Sequence, residues 1–287
     1  MATIVTALMY SGKQNPTWEL SEEQTKKLKE VLKEEKELTF EMSALSVGIL
    51  GYKGFVIESL NEPTIPLKTF CFDGIIDFAD QTQINYIDKG SELESFLLET
   101  GSNSLTKLEQ SYIESELSKN VKGGTASMNK SFKGTMEIFA VPPYDPGKWN
   151  IPSVQRYNNC YNYANDKITN TFAQPGRGSG STIADVLCNT VSSAAVRDGQ
   201  ISVSAASSTP MEGHFIALVS ANIPTFQDYH WYRLDLNTMW SHKPGQTPAK
   251  NTDNSGRLIS DPRTADRGPY TDFCGFFHCI PSRTTIR

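Results

Sequence analysis

The sequence has no apolar run of about 18 residues, no dense basic tract and only four histidines among its 287 residues. The first absence excludes a membrane-spanning helix. The second, with a net charge of −5 and a pI near 5.5, excludes nucleic acid as a partner. There is no internal repeat and no low-complexity tract. The opening MATIVTALMYSGKQ has no basic segment ahead of its apolar residues and reads as a first strand rather than a secretory leader. Five cysteines, an odd number, are scattered along the chain. Without a leader the expectation is reduced thiols, in a protein that is cytoplasmic or exported without a classical signal peptide. Cys274 and Cys279 in CGFFHC are a possible pair, but their spacing matches no tight zinc pattern, and neither metal nor cofactor is expected.

Hydrophobic and charged residues at 38% and 21% are ordinary for a globular chain long enough for two domains. The first half is charge-rich. Ser21 is a candidate N-cap, Glu22 and Glu23 fill a first turn, and Leu28, Val31, Leu32 and Leu38 share a face, predicting a helix over 21–36. SALSVGILGY, GFVIESL and KTFCFDGIIDF read as strands, SELESFLLET and SLTKLEQSYIESELSKN as helices. Charge then falls while Gly, Ser, Asn and Pro rise. The expected organisation is an α+β domain over 1–120, a linker over 121–135 and a second α+β domain over 136–287 with a central antiparallel sheet.

All four histidines, His214, His230, His242 and His278, lie in the second half. So does RYNNCYNYANDKI, where Cys160 sits among polar and aromatic residues rather than aliphatic ones. Cys160, Ala164 and Ile168 fall on one helix face, with Asn158 or Asn159 as N-cap. A thiol in a first helical turn feels the positive end of the helix dipole. MEGHFIALVSAN reads as a strand entered through Gly213 with His214 at its start, and DYHWYRLDL as a second strand carrying His230.

A helix-borne cysteine followed by GHFIALV and then by a polar residue on the next strand resembles the papain-like cysteine hydrolases. The likeness is to the NlpC-type endopeptidases and CHAP-type amidases and covers about residues 140–240. The resemblance implies Cys160 as nucleophile, His214 as general base and His230 as the orienting group, with His242 competing for the third role. It also implies a peptide, cell-wall or protein side-chain amide as substrate. The position before the cysteine holds Asn159, where those families carry Asp or Gln. Asn159, Tyr157 and Gln155 stand upstream of the thiol as candidate oxyanion donors, and Arg177 as a substrate-carboxylate contact.

Other readings compete. Aromatic residues of DYHWYRLDLNTMW can form a docking surface on a non-catalytic binding or assembly protein that keeps the fold, or pack as core. QPGRGSGST lacks the GK[ST] ending of a phosphate loop. The aspartates between 250 and 268 lack EF-hand spacing and fit a loop rich in Asx turns.

Overall fold

The computed structural model describes residues 2–34, 38–39, 48–60, 65–78, 85–119, 141–206, 210 and 212–287. The first half forms a seven-stranded antiparallel sheet. Its strands are β1 (Ala2–Ala7), β2 (Thr17–Glu19), β3 (Leu38–Thr39), β4 (Phe55–Leu60), β5 (Lys68–Phe72), β6 (Ile75–Phe78) and β7 (Asn85–Ile87), in the order β2-β1-β4-β5-β6-β7-β3. Helices α1 (Glu22–Glu34), α2 (Glu92–Thr100) and α3 (Lys107–Lys119) accompany it. Ser21 caps α1 reciprocally: its hydroxyl accepts from the Gln24 amide at 3.1 Å, and the Gln24 side chain accepts from the Ser21 amide at 2.9 Å. Leu28 and Val31 are buried as the periodicity predicts. The described helix spans Glu22–Glu34, residues 35–37 lie outside the described residues, and Leu38 opens β3 instead of extending the helix face. KTFCFDGIIDF is a hairpin rather than one strand, because Asp73 and Gly74 take φ of 53° and 72°, the primed two-residue turn that matches strand twist. In SALSVGILGY, residues 43–47 lie outside the described residues and 48–52 are not strand.

The second half forms a five-stranded antiparallel sheet. Its strands are β8 (Ile201–Val203), β9 (His214–Ile223), β10 (Phe226–Leu234), β11 (Trp240–His242) and β12 (Asp272–Cys279), in the order β11-β10-β9-β12-β8. Short helices α4 (Pro146–Trp149), α5 (Pro152–Gln155) and α6 (Cys160–Ala164) precede α7 (Cys188–Arg197).

The fold is mixed α+β, with a central antiparallel sheet in the second half. The expected linker over 121–135 lies outside the described residues. The two halves meet through one core: Val5, Phe55 and Phe70 belong to the same buried cluster as Phe215, Phe226 and Tyr232. Strand alternation explains how β9 serves two cores. Phe215, Ala217, Val219 and Ala221 face that shared core, while Ile216 and Leu218 face α6 and α7. Covered on both faces, the strand reads as the continuous apolar run HFIALV.

Reduced cysteines were the expectation, and the structure overturns it. Cys188, the first residue of α7, is disulfide-bonded to Cys274 on β12. Cys71, Cys160 and Cys279 are free and buried. Cys279 therefore does not pair with Cys274. Its thiol instead lies 3.7 Å from Asn165 Oδ1 and 3.5 Å from Gln200 Nε2.

Candidate active site

Asn159 takes an extended backbone conformation and caps α6. Its Oδ1 accepts from the amides of Tyr161 and Asn162 at 3.0 and 3.1 Å, and the Asn162 side chain answers on the Asn159 amide. This is why an Asn-rich stretch turns abruptly into helix at Cys160. The helix is shorter than the spacing predicts: it ends at Ala164, and Ile168 is outside it and exposed.

Cys160 is fully buried between α6 and β10. Burial, and then Asp228, push its thiol well above the ordinary range, while the backbone amides of Trp231 and Tyr161 and the Lys243 ammonium pull the other way. Trp231 packs in the Cys160 cluster against Tyr161, whereas His230, opposite Val219, lies on the β10 face turned to the shared core. Strand β11 ends at His242, opposite Tyr232, so its pairing does not extend to this edge of β10.

The histidines sort differently from the expectation. His214 Nε2 is 2.6 Å from the carbonyl of Ala164, at the end of α6 away from Cys160. A carbonyl only accepts, so Nε2 carries the proton, and Nδ1 is buried with no hydrogen-bond partner. Burial lowers the pKa of His214 to about 4. His230 belongs to a relay: its Nε2 is 2.8 Å from His242 Nδ1, and His242 Nε2 is 3.0 Å from the carbonyl of Thr252. The Thr252 carbonyl requires a proton on His242 Nε2, which leaves His242 Nδ1 to accept from His230 Nε2. The free lone pair of the relay is then His230 Nδ1, buried and without a hydrogen-bond partner. Burial lowers both rings, His242 to about 3. His278 rests on the Glu212 carbonyl, outside this arrangement.

Charged groups gather around the relay. Asp228, two residues before His230 on β10, is buried and accepts from the amides of Ser11, Gly12 and Lys13 and from the Tyr270 hydroxyl. Lys53 Nζ sits among the carbonyls of Gly51, Met9 and Tyr10 at 2.8, 3.3 and 3.5 Å. Lys243 Nζ donates to the carbonyls of Gln155, Asn158 and Gly245. Burial brings both ammonium groups down to about 7. Two donors converge on one oxygen, the carbonyl of Gly12: Gln174 Nε2 at 2.8 Å and Asn159 Nδ2 at 3.0 Å, while the Tyr229 hydroxyl donates to Gln174 Oε1 at 2.9 Å.

Of the expected donors, Asn159 is at the site. Gln155 is tied to the Gln246 carbonyl at 3.1 Å, and Tyr157 is half exposed at 47%. Arg177 lies 3.5 Å from the Thr171 carbonyl, and its loop is held by Asp198, which accepts from the Gly176 and Ser179 amides. Asp253 likewise accepts from the amides of Ser255, Arg257 and Asp266, an Asx-turn loop, and no group of three metal-ligating side chains occurs among the described residues. Sequence reasoning missed Gly12, Lys53, Gln174 and Asp228. Only Asp228 carries a local signal, standing on the same strand face as His230 in DYHW.

No family model matches the chain, and no solved structure matches it. The chain is 51% identical over 140 residues to insoluble matrix shell protein 1 of Ruditapes philippinarum, covering 90% of that protein and 48% of this one. This chain belongs to the family of that shell protein. More than half of it lies beyond the matched region, and neither the relay nor the cluster around Asp228 is described by the relative's name.

Proposed function

We propose that the chain is a cysteine hydrolase of amide bonds in which Cys160 is the nucleophile, His230 the general base and His242 the group that orients the base. The observation that carries this reading is the buried, unpartnered Nδ1 of His230 on β10, the strand against which the Cys160 helix packs. His230 Nδ1 takes the thiol proton, and the sulfur attacks the substrate carbonyl carbon. The imidazolium that forms is held by its Nε2–H on His242. It then gives its proton to the leaving amine, and water releases the acyl group. Asn159 Nδ2 and Gln174 Nε2, already grouped on one carbonyl oxygen, supply donors of the kind a tetrahedral oxyanion requires. The substrate class is a peptide, a cell-wall crosslink or a protein side-chain amide. The Cys188–Cys274 disulfide supports export to an oxidising compartment over the cytoplasm. The test is amide hydrolysis by the full chain, with products read by mass spectrometry. Cys160→Ala should abolish it, and activity surviving in that variant sinks the assignment.

A second reading rests on a specific observation. Cys160 has no exposed surface, and the shell relative is named for an insoluble matrix. On that reading the chain is a non-catalytic binding or assembly protein that retains the fold. Its polar centre is then structural, and the wild type and Cys160→Ala behave alike in every hydrolytic assay while assembling equally.

A further inference from the structure

Charge is divided along the chain. Residues 1–120 carry 20 Asp and Glu against 11 Lys and Arg, residues 121–287 carry 12 against 16, and all nine arginines lie from Arg156 onward. Five of them, Arg156, Arg233, Arg257, Arg263 and Arg283, are paired with carboxylates. Three that form no ion pair among the described residues gather around one loop. The Arg197 guanidinium lies against Gly176, where an added Cβ would fall 3.3 Å from its Nη2. Arg177 follows Gly176, and its Nη1 is 3.5 Å from the Thr171 carbonyl. The Gln174 amide donates to the Arg287 carbonyl at 2.9 Å, which brings Arg287 beside the same loop. Arg197 and Arg287 are exposed and Arg177 is half-buried. Asp198, next to Arg197, is buried and already accepts from the Gly176 and Ser179 amides and the Tyr161 hydroxyl.

The acidic half has a surface that matches. Helices α2 and α3 flank an open groove of about 460 Å³ lined by Leu98, Leu117, Glu99 and Glu114, and by no basic residue. Leu98 and Leu117 are half-buried and pack on the core, while Glu99 and Glu114 are exposed and form no ion pair among the described residues. Glu116 on the same helix is by contrast bound to Lys119 at 2.7 Å. The neighbouring groove between α1 and α2 presents Lys26 and Lys27 beside Glu23 and Glu30, so its charge is balanced.

We propose that the arginine loop of one copy docks in the α2–α3 groove of a second copy, with Arg177 and Arg197 meeting Glu99 and Glu114. Arginine suits such a groove: its apolar stem lies along Leu98 and Leu117 while the guanidinium forks to the carboxylates. A polyanion of another kind would satisfy the arginines and leave the acidic groove unused, whereas a second copy satisfies both. The two surfaces differ, so the contact is head to tail, and each copy keeps one free surface of each kind. Association therefore continues until a ring closes or a filament grows. The contact rests on surface charge and shape, and not on the chemistry of Cys160.

The test is sedimentation velocity of the full chain with the charges exchanged. At low salt the sedimentation coefficient of wild type should rise with protein concentration. The apparent association constant should fall at least about tenfold as ionic strength goes from about 0.02 M to about 0.5 M, because exposed charges are screened. Arg177→Glu/Arg197→Glu and Glu99→Lys/Glu114→Lys should each sediment as monomer throughout. An equimolar mixture of the two should associate again, since the reversed loop of one meets the reversed groove of the other. Circular dichroism and the denaturant midpoint check that each variant is folded. If the half-buried Arg177 does not tolerate reversal, Arg197→Glu alone replaces that arm, and its association should drop by a similar factor. Wild type that stays monomeric at low salt overturns the proposal. So does association by either folded double variant alone to the wild-type extent, or a mixture no more associated than its parts. Wild type that stays monomeric yet binds polyglutamate through Arg177 and Arg197 overturns the second copy as the occupant of this surface.

Discussion

His230 Nε2 lies 2.8 Å from His242 Nδ1, and this one contact fixes the proton on both rings, because His242 is already committed to the Thr252 carbonyl. On the proposed reading, a base oriented this way needs no carboxylate. It also separates His230 from His214, whose Nε2 is on the Ala164 carbonyl.

The order of histidine effects follows. His230→Ala should lower kcat by about 10²–10⁴-fold, the ordinary value of a general base. His242→Ala should cost less, since it removes only the orienting partner. His214→Gln should leave kcat within a few-fold of wild type once folding is matched by denaturant midpoint. The papain-like resemblance gives His214 the base role and therefore the opposite order. A His214→Gln variant as impaired as His230→Ala refutes the relay.

Acid should destabilise the fold. His214 is held at about 4 and His242 at about 3, and His230 is also lowered, chiefly by burial. Unfolded, each titrates near 6.5. Protons therefore bind the unfolded chain preferentially below that value. The stability that depends on neutral rings is complete above about pH 6.5 and declines as the pH falls toward about 4, by up to ~1.4 kcal/mol per pH unit for each ring. The urea midpoint should drop steeply between pH 7 and pH 5, and a midpoint unchanged over that interval contradicts three buried neutral histidines.

The disulfide between Cys188 and Cys274 closes a loop spanning 86 residues. Chain-entropy reasoning assigns such a loop about 4–5 kcal/mol, with measured values commonly ~2–4. The Cys188→Ala/Cys274→Ala double variant should lose stability of that order in denaturant. Mass mapping under non-reducing conditions should find this crosslink and none involving Cys71, which is buried on β5 in the first half.

Asn159 does two jobs with opposite ends of one amide. Oδ1 caps α6, and Nδ2 donates to the Gly12 and Ala173 carbonyls. Asn159→Asp keeps the cap but turns a carboxylate toward two carbonyl oxygens. A loss of about 2–3 kcal/mol is expected, by the cost of unpaired buried polar groups. A cap-only role predicts no loss, which chemical denaturation distinguishes directly.

Much of the fold is legible in local chemistry. Ser21 marks the start of α1 and Asn159 the start of α6, whereas the turn at Asp73–Gly74 lies inside a run that reads as one strand. Each signal acts within a few residues, so neighbouring side chains suffice to read it. The extent of elements is less legible. Leu38 continues the helical period of α1, yet it pairs with Tyr86 in β3, because a sheet edge 48 residues downstream offers it a ladder. The site is legible only in its inventory. Cys160, His230 and His242 are identifiable from the sequence as candidates, with Asn159 beside them.

Composition and periodicity by themselves determined a mixed α+β chain with no apolar run long enough to cross a membrane, its histidines gathered beside an Asn-capped cysteine in the second half. Tertiary structure decided which histidine serves which partner, which cysteines bond, and which distant residues meet Asn159 and Asp228. Those questions turn on contacts between residues far apart in sequence: Gly12 with Gln174, Ser11 with Asp228, Cys188 with Cys274, His214 with Ala164. The physical reason is that strand register and sheet order set which backbone carbonyl meets which imidazole. A shift of one residue in β10 would turn His230 to the opposite face of its sheet while leaving every local pattern in the sequence unchanged.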